Sequence, residues 1–222
     1  MTFASPKCLP AAVLATGLVI VLAAMVGVAR AAVAPSLVKN GGAELGQGAV
    51  DSSGVITVIP SWVQTGSFTV VQYGAAGGFP DKTVSTAISG GKNFFAGGPS
   101  NPSSGATQTV NVASRAAKID AGKLNATLAG YLGGYSSQRD SLTVTASFLD
   151  ASGAKLGTLK IGPVTPVQRK SLTTLIAKSA THKIPSKTRS ITVALTAVRT
   201  DGSYNDGYAD NLKLTVTKRP GA

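Results

Sequence analysis

Apolar residues recur at every second position through most of this chain, and that period restricts the fold more than any other feature of the sequence. In SLTVTASFLD, residues 141–150, Leu142, Val144, Ala146 and Phe148 share one face, while Thr143, Thr145 and Ser147 take the other. An extended strand separates such a pattern into a dry side and a wet side. DASG, residues 150–153, then reads as a turn, and KLGTLKIG returns from it. The alternation repeats in RSITVALTAV, with Ile191, Val193, Leu195 and Ala197 on one side, and in NLKLTVTK, with Leu212, Leu214 and Val216. Together with GVITVI (54–59), SFTVVQY (67–73), KNFFAG (92–97), ATQTVNV (106–112), KLNATLAGYL (123–132) and SLTTLIAK (171–178), the chain offers about nine strands. Clusters of Gly, Pro, Ser and Asn such as GAAGGFPDK and AGGPSNPSSG separate them, and a helical period is confined to one turn near residues 113–118. Many short strands joined by turn chemistry predict an all-β antiparallel β-sandwich or jelly roll, and the Thr-rich faces fit sheets open to water on one side.

The N-terminus obeys a different rule. Residues 8–29 carry no charge and are dominated by Ala, Val and Leu, behind Lys7, which reads as a membrane-directed signal helix. Cleavage is expected after Ala34, at the end of AVA, with GVA ending at Ala29 as the other small-residue site. An uncleaved anchor is the competing reading, because the apolar run is long and Arg30 follows it directly; Pro10, Gly17 and Gly27 weaken the helix and favour a signal. Either way the remainder is exported, and a secreted, extracellular protein is expected. Residues 35–222 are enough for one sizeable core and short for two, so a single domain is expected, with a frayed tail from about residue 218. Cys8 leaves with the signal, so stability must come from burial, hydrogen bonds or a bound ion.

The chain holds 21 Lys and Arg against 9 Asp and Glu, a net charge of +12. Residues 151–200 contain Lys155, Lys160, Arg169, Lys170, Lys178, Lys183, Lys187, Arg189 and Arg199 and no acid. Two readings stand: a footprint for acidic polymers, or a solvated outer face whose lysines discourage strand-edge pairing.

Catalytic parts are scarce. His182 is the one histidine, in a basic turn-like stretch; Glu44 is the one glutamate; no G-x-S-x-G elbow and no P-loop occurs. Zinc would need Cys or several His. A binding protein is therefore expected rather than an enzyme. Calcium takes oxygen ligands in irregular geometry, and RTDGSYNDGYADNLKLTV places Asp201, Asp206 and Asp210 within ten positions. An EF-hand fails here, because Asp206 stands where Gly is needed and Leu212 where Glu is needed. Asp201 and Asp206 read as turn residues in DG and NDG.

LVKNGGAE near the start, ITVIPSW, GPVTPVQRKSLTTL, IPSKTRSITVALTAV and the closing YADNLKLTV resemble the jelly-roll modules of the galactose-binding-like class. Within it they resemble the carbohydrate-binding modules of secreted bacterial cellulases and xylanases, in stand-alone form. The resemblance implies a structural calcium where the chain ends meet, held by the acid of an N-G-x-x-E opening and the Asp of a terminal A-D-N strand. Here those positions are Glu44 and Asp210; Ala43 stands where the opening commonly has an aromatic. Turn chemistry alone is the other account of Asp210. For a glycan, Tyr135 and Tyr204, flanked by loop residues, are the candidate platforms, with Gln138, Arg139, Asp140 and Asn205 as polar partners. Trp62 reads either as core or as platform, whereas Phe68, Phe94, Phe95 and Phe148 read as core. The expectation is a monomeric, non-catalytic glycan-binding module with no specific nucleic acid and with membrane contact only during export. The alternative is a basic envelope or adhesion protein that holds acidic polymers or another protein through residues 155–199.

Overall fold

Eleven strands carry the alternation among the described residues, 1–4 and 34–221 of the computed structural model. They are β1 (Ala49–Asp51), β2 (Val63–Thr65), β3 (Thr69–Ala76), β4 (Asn93–Pro99), β5 (Ser103–Asn111), β6 (Leu124–Gly134), β7 (Ser141–Leu149), β8 (Lys155–Ile161), β9 (Thr174–Lys183), β10 (Ser190–Val198) and β11 (Tyr204–Lys218). Six form a sheet in the order β1-β3-β4-β11-β6-β9 and five a second in the order β2-β5-β10-β7-β8. The result is a jelly-roll β-sandwich. Pairing is antiparallel except at three-residue β1, which runs parallel to β3. The signal segment expected over residues 1–34 lies almost wholly outside the described residues; among those described, no helix is long and apolar enough to cross a membrane.

Strand parity builds the core. β10 pairs along its whole length with both β5 and β7, so Ile191, Val193 and Leu195 face inward beside Val144 and Phe148. From the larger sheet, Phe68, Val70, Phe95, Leu128, Leu132 and Leu214 meet them. Threonines occupy the wet faces, where Thr109 pairs with Thr192 at 2.9 Å and Thr127 with Thr181 at 2.8 Å across neighbouring strands. Trp62 belongs to the core: it is 7% exposed, meets Phe95 edge-on at 5.5 Å, and donates from Nε1 to the Asn40 carbonyl.

Three local expectations are corrected. Residues 54–59 form no strand, because side chains satisfy their backbone in place of a partner strand: Thr69 Oγ1 accepts from Ile56 N–H, while the Gln64 amide accepts from Ile59 N–H and donates to the Ile56 carbonyl. Residues 82–88, where no helical period is expected, form helix α1 (Lys82–Ile88), started by Asp81, whose carboxylate accepts from Val84 N–H at 3.0 Å. His182 lies exposed on β9, the edge strand of its sheet, rather than in a turn. The helical turn near 113–118 is present as a 3-10 turn over Ala113–Arg115 leading into α2 (Ala116–Asp120).

Residues 37–41 are tied to the last strand. Leu37 N–H donates to the Leu214 carbonyl at 2.7 Å, and Leu212 N–H donates to the Gly41 carbonyl at 2.8 Å. Residue 41 must be glycine for this contact, since a Cβ there would stand 2.1 Å from the Leu212 carbonyl oxygen. Gly41→Ala should therefore cost about 1–3 kcal/mol in urea unfolding; an unchanged midpoint would mean that this seam is not packed.

Candidate functional site

The seam brings together the two carboxylates that the sequence singles out. Asp210 sits in β11 just before a bulge at Asn211, whose φ of 52° marks the register shift against β6. The Asp210 side chain is fully buried on the outer side of the six-stranded sheet. Tyr73 Oη donates to its Oδ2 at 2.7 Å, and Asn211 N–H donates to its Oδ1 at 2.6 Å. Asn211 in turn donates from Nδ2 to the carbonyls of Ile88 and Ser89, fastening the end of α1. Glu44 is exposed, and its Oε1 accepts from Lys92 N–H at 2.9 Å and Asn93 N–H at 2.8 Å.

These groups border one small space. A Cβ on Gly42 would stand 3.6 Å from Asp210 Oδ1, 3.7 Å from Asn211 Oδ1 and 3.7 Å from Glu44 Cγ. Burial pushes Asp210 up to about 7, and the negative charge of Glu44 adds to the rise; the hydrogen bonds from Tyr73 and Asn211 N–H oppose it. Burial, then the charge of Asp210, likewise raises the Tyr73 phenol far above its ordinary value. A buried carboxylate with no cation beside it, a second carboxylate and an amide oxygen fit an oxygen-liking ion such as calcium. Among the described residues no group of three or more His, Cys, Asp and Glu gathers, so any further ligands would be amide, carbonyl or water oxygens.

The other two aspartates of the closing stretch have separate work. Asp201 accepts from Arg139 N–H at 2.7 Å and from its guanidinium at 3.1 Å, and these bonds hold its carboxyl below the ordinary range. Asp206, expected in a turn, lies within β11, where its carboxylate accepts from Tyr208 Oη; burial pushes it up to about 6. Beneath them Asp140, 1% exposed, accepts from the N–H groups of Thr200, Asp201 and Asp206. Arg169, 2% exposed, donates to the carbonyls of Tyr135, Ser136, Gln138 and Leu172. It is therefore a structural pin and adds nothing to a cationic surface.

Tyr135 and Tyr204 both flank the segment that carries α1. Tyr204 is half-buried, meets Phe79 edge-on at 5.1 Å, and buries its hydroxyl without a partner among the described residues. Tyr135 is half-buried with its ring against Gly78, where a Cβ would lie 2.6 Å from Cε2. Gln138 is half-buried near Gly202. Asn205 is fully buried; its amide bonds weakly, at 3.4 Å each, with Asn101 Oδ1 and Gly207 N–H, and presents nothing outward.

The outer side of the six-stranded sheet is thereby divided. One half is an aromatic cluster of Tyr73, Phe94 and Tyr208 sealed by Phe79, Val84 and Ile88 from residues 77–91. The other half is open: beside the end of α1 lies a groove of about 540 Å³ lined by Tyr131, Ser89, Ser179, Asn211 and Lys213 over Ala129 and Gly130. Tyr131 is not among the candidates that loop-like neighbours mark in the sequence, although strand parity in KLNATLAGYL puts it with Asn125 and Thr127 on the wet side. Across α1 a second groove, about 770 Å³, is lined by Gln72, Lys82, Ser85, Lys92 and Asn93.

No family model matches the chain, and no curated protein matches it by sequence. Among solved structures, the enzymatically active domain of bacteriophage CBA120 tailspike protein 4 aligns with 82% of this chain and 21% of its own, at 16% identity and a TM-score of 0.46. The CBM22-1 xylan-binding domain of Paenibacillus barcinonensis Xyn10C aligns with 75% of this chain and 91% of its own, at 12% identity and a TM-score of 0.40. The CBM22-1–GH10 modules of Clostridium thermocellum Xyn10B align with 73% of this chain and 27% of their own, at 15% identity and a TM-score of 0.41. The chain thus spans about a fifth of the tailspike chain.

Asp210 and Asp206 bind protons on folding, because their folded values of about 7 and about 6 exceed the ordinary 3.8. Their contribution to stability is full below about 3.8 and is lost as pH rises through 6 to 7. In chelator, Tm should therefore fall between pH 5 and pH 8, and Asp210→Asn should flatten that slope. A Tm that rises with pH over this window would contradict the burial of both groups.

Proposed function

We propose that this chain is an exported, non-catalytic carbohydrate-binding module, and the observation that carries the reading is the open groove on Tyr131. A tyrosine ring half-exposed on a strand offers a flat apolar surface to the C–H side of a sugar ring, and Ser179, Asn211 and Lys213 stand around it to meet hydroxyls. Tyr135 lies just past the end of β6 with its ring on Gly78 and does not line this groove, so the proposed sugar contact is centred on Tyr131. Tyr204 and Gln138 are half-buried, Asn205 is fully buried, and none of the three lines this groove. The export reading rests on residues 1–34 and the non-catalytic reading on the scarcity of catalytic parts, with His182 the one histidine and Glu44 the one glutamate.

Calcium is proposed at Glu44 and Asp210, with Asn211 beside them. The ion would supply the positive charge that buried Asp210 otherwise obtains by protonation, and would join β11 to the turn at residues 40–44 and to the strand that begins at Asn93. Its role is structural, since neither carboxylate lines the Tyr131 groove.

Two measurements check these readings. Titrated with neutral glycans, xylan among them, Tyr131→Ala should bind about tenfold more weakly, the ~1.4 kcal/mol expected from ~55 Å² of lost apolar contact; no binding by the wild type across neutral glycans would refute the module reading. At pH 8 calcium should raise the Tm of the wild type and leave Asp210→Ala unmoved; an equal rise in both would remove Asp210 from the site.

A further inference from the structure

Four cations meet at one end of the sandwich, and none of them belongs to the basic run at residues 151–200. A cavity of about 570 Å³ is lined by Arg115, Lys118, Lys123 and Lys218 around Leu124 and Val216. Its floor is apolar: Leu124 is part of the core and Val216 packs against it. Its rim is cationic, with Lys118, Lys123 and Lys218 exposed and Arg115 half-buried. Lys183 stands nearby, its Nζ 2.9 Å from where a Cβ on Gly122 would be. Among the described residues no acid lines the cavity. Asp120, on α2 between Lys118 and Lys123, is already engaged: Arg189 pairs with it at 2.8 Å and Lys187 N–H donates to it at 2.7 Å.

Like charges gathered around a hollow without a counterion repel one another, and that repulsion is relieved when an anion enters. We infer that this cavity is a binding site for a polysaccharide bearing carboxylate or sulfate groups. The apolar floor accepts the C–H side of a sugar ring, and the rim meets the anionic substituent that the ring carries. Two other classes of polyanion fit less well. No aromatic side chain lines the cavity, so nucleobases have nothing to stack on. None of its residues is an exposed large apolar side chain, so nothing there would insert into a membrane surface. The inference goes beyond the neutral-glycan reading and rests on different residues.

The test is affinity of the full-length chain for polygalacturonate and for dextran sulfate, with duplex DNA as a third ligand. Lys118→Gln/Lys218→Gln should weaken polygalacturonate or dextran sulfate binding about tenfold or more. Lys155→Gln/Lys160→Gln, which removes the same charge from exposed positions on β8, should change it less than about twofold. Whichever polysaccharide binds names the anionic group. Tyr131→Ala should leave this binding intact, so failure of the neutral-glycan reading is seen separately. Equal losses in the two double variants would mean that net charge alone is being read, and would overturn the site. So would a wild type that holds neither polysaccharide, or tighter binding of DNA that is lost with Lys118 and Lys218.

Discussion

Everything in this sandwich depends on β11 being held at both of its sides and at its bulge. The strand lies between β4 and β6 in the middle of the larger sheet, yet its partners change where Asn211 breaks the register. At that break the backbone would lose pairing. Asp210 and the segment around Gly41 restore it, the first through Tyr73 and Asn211 N–H, the second through Leu212 N–H. The cost is a buried carboxylate, which the protein can tolerate as a protonated group or beside a cation. A domain without cysteine after residue 8 has no covalent alternative for fixing its ends.

The same bulge organises the outer surface. Asn211 holds the end of α1, and α1 carries the residues that seal Tyr73, Phe94 and Tyr208. Without that cover the sheet would expose a broad aromatic face, a liability for aggregation or an invitation to a partner. With it, the exposed part shrinks to the strip along β6 and β9, where Tyr131 stands beside the end of α1. The proposed sugar contact and the closure of the seam are therefore on adjacent residues of one strand pair: Asp210 is the register partner of Tyr131.

The period-two pattern made the sandwich legible, because parity alone assigns Leu142, Val144, Ala146 and Phe148 to the core and their threonine neighbours to water. It misjudged residues 54–59, where alternation is present but Thr69 and Gln64 take the place of a partner strand; hydrogen bonds from distant side chains leave no mark in a local pattern. It also passed over α1, whose seven residues are too few to show a helical period, although Asp81 before Lys82 offered a cap. That Glu44 and Asp210 come near one another is legible through the motifs at the two ends, while an ion between them is a proposal. Tyr135 and Tyr204 were chosen for their loop-like neighbours, and that criterion cannot see that Phe79 and Gly78 press against them. The charge run in the sequence does not report burial or pairing: Arg169 is buried and Arg189 is paired with Asp120, while the cavity cations come from positions scattered between 115 and 218.

If the seam governs the fold, the amides that close it must open only when the whole domain unfolds. Native-state hydrogen exchange at Leu37, Leu212 and Asn93, whose N–H groups bond to Leu214, Gly41 and Glu44, measures this directly. The account predicts protection equal to that of Val193 in the middle of β10, and a common loss of protection at all three in Asp210→Ala. Exchange at these amides as fast as at exposed Val167 would contradict it.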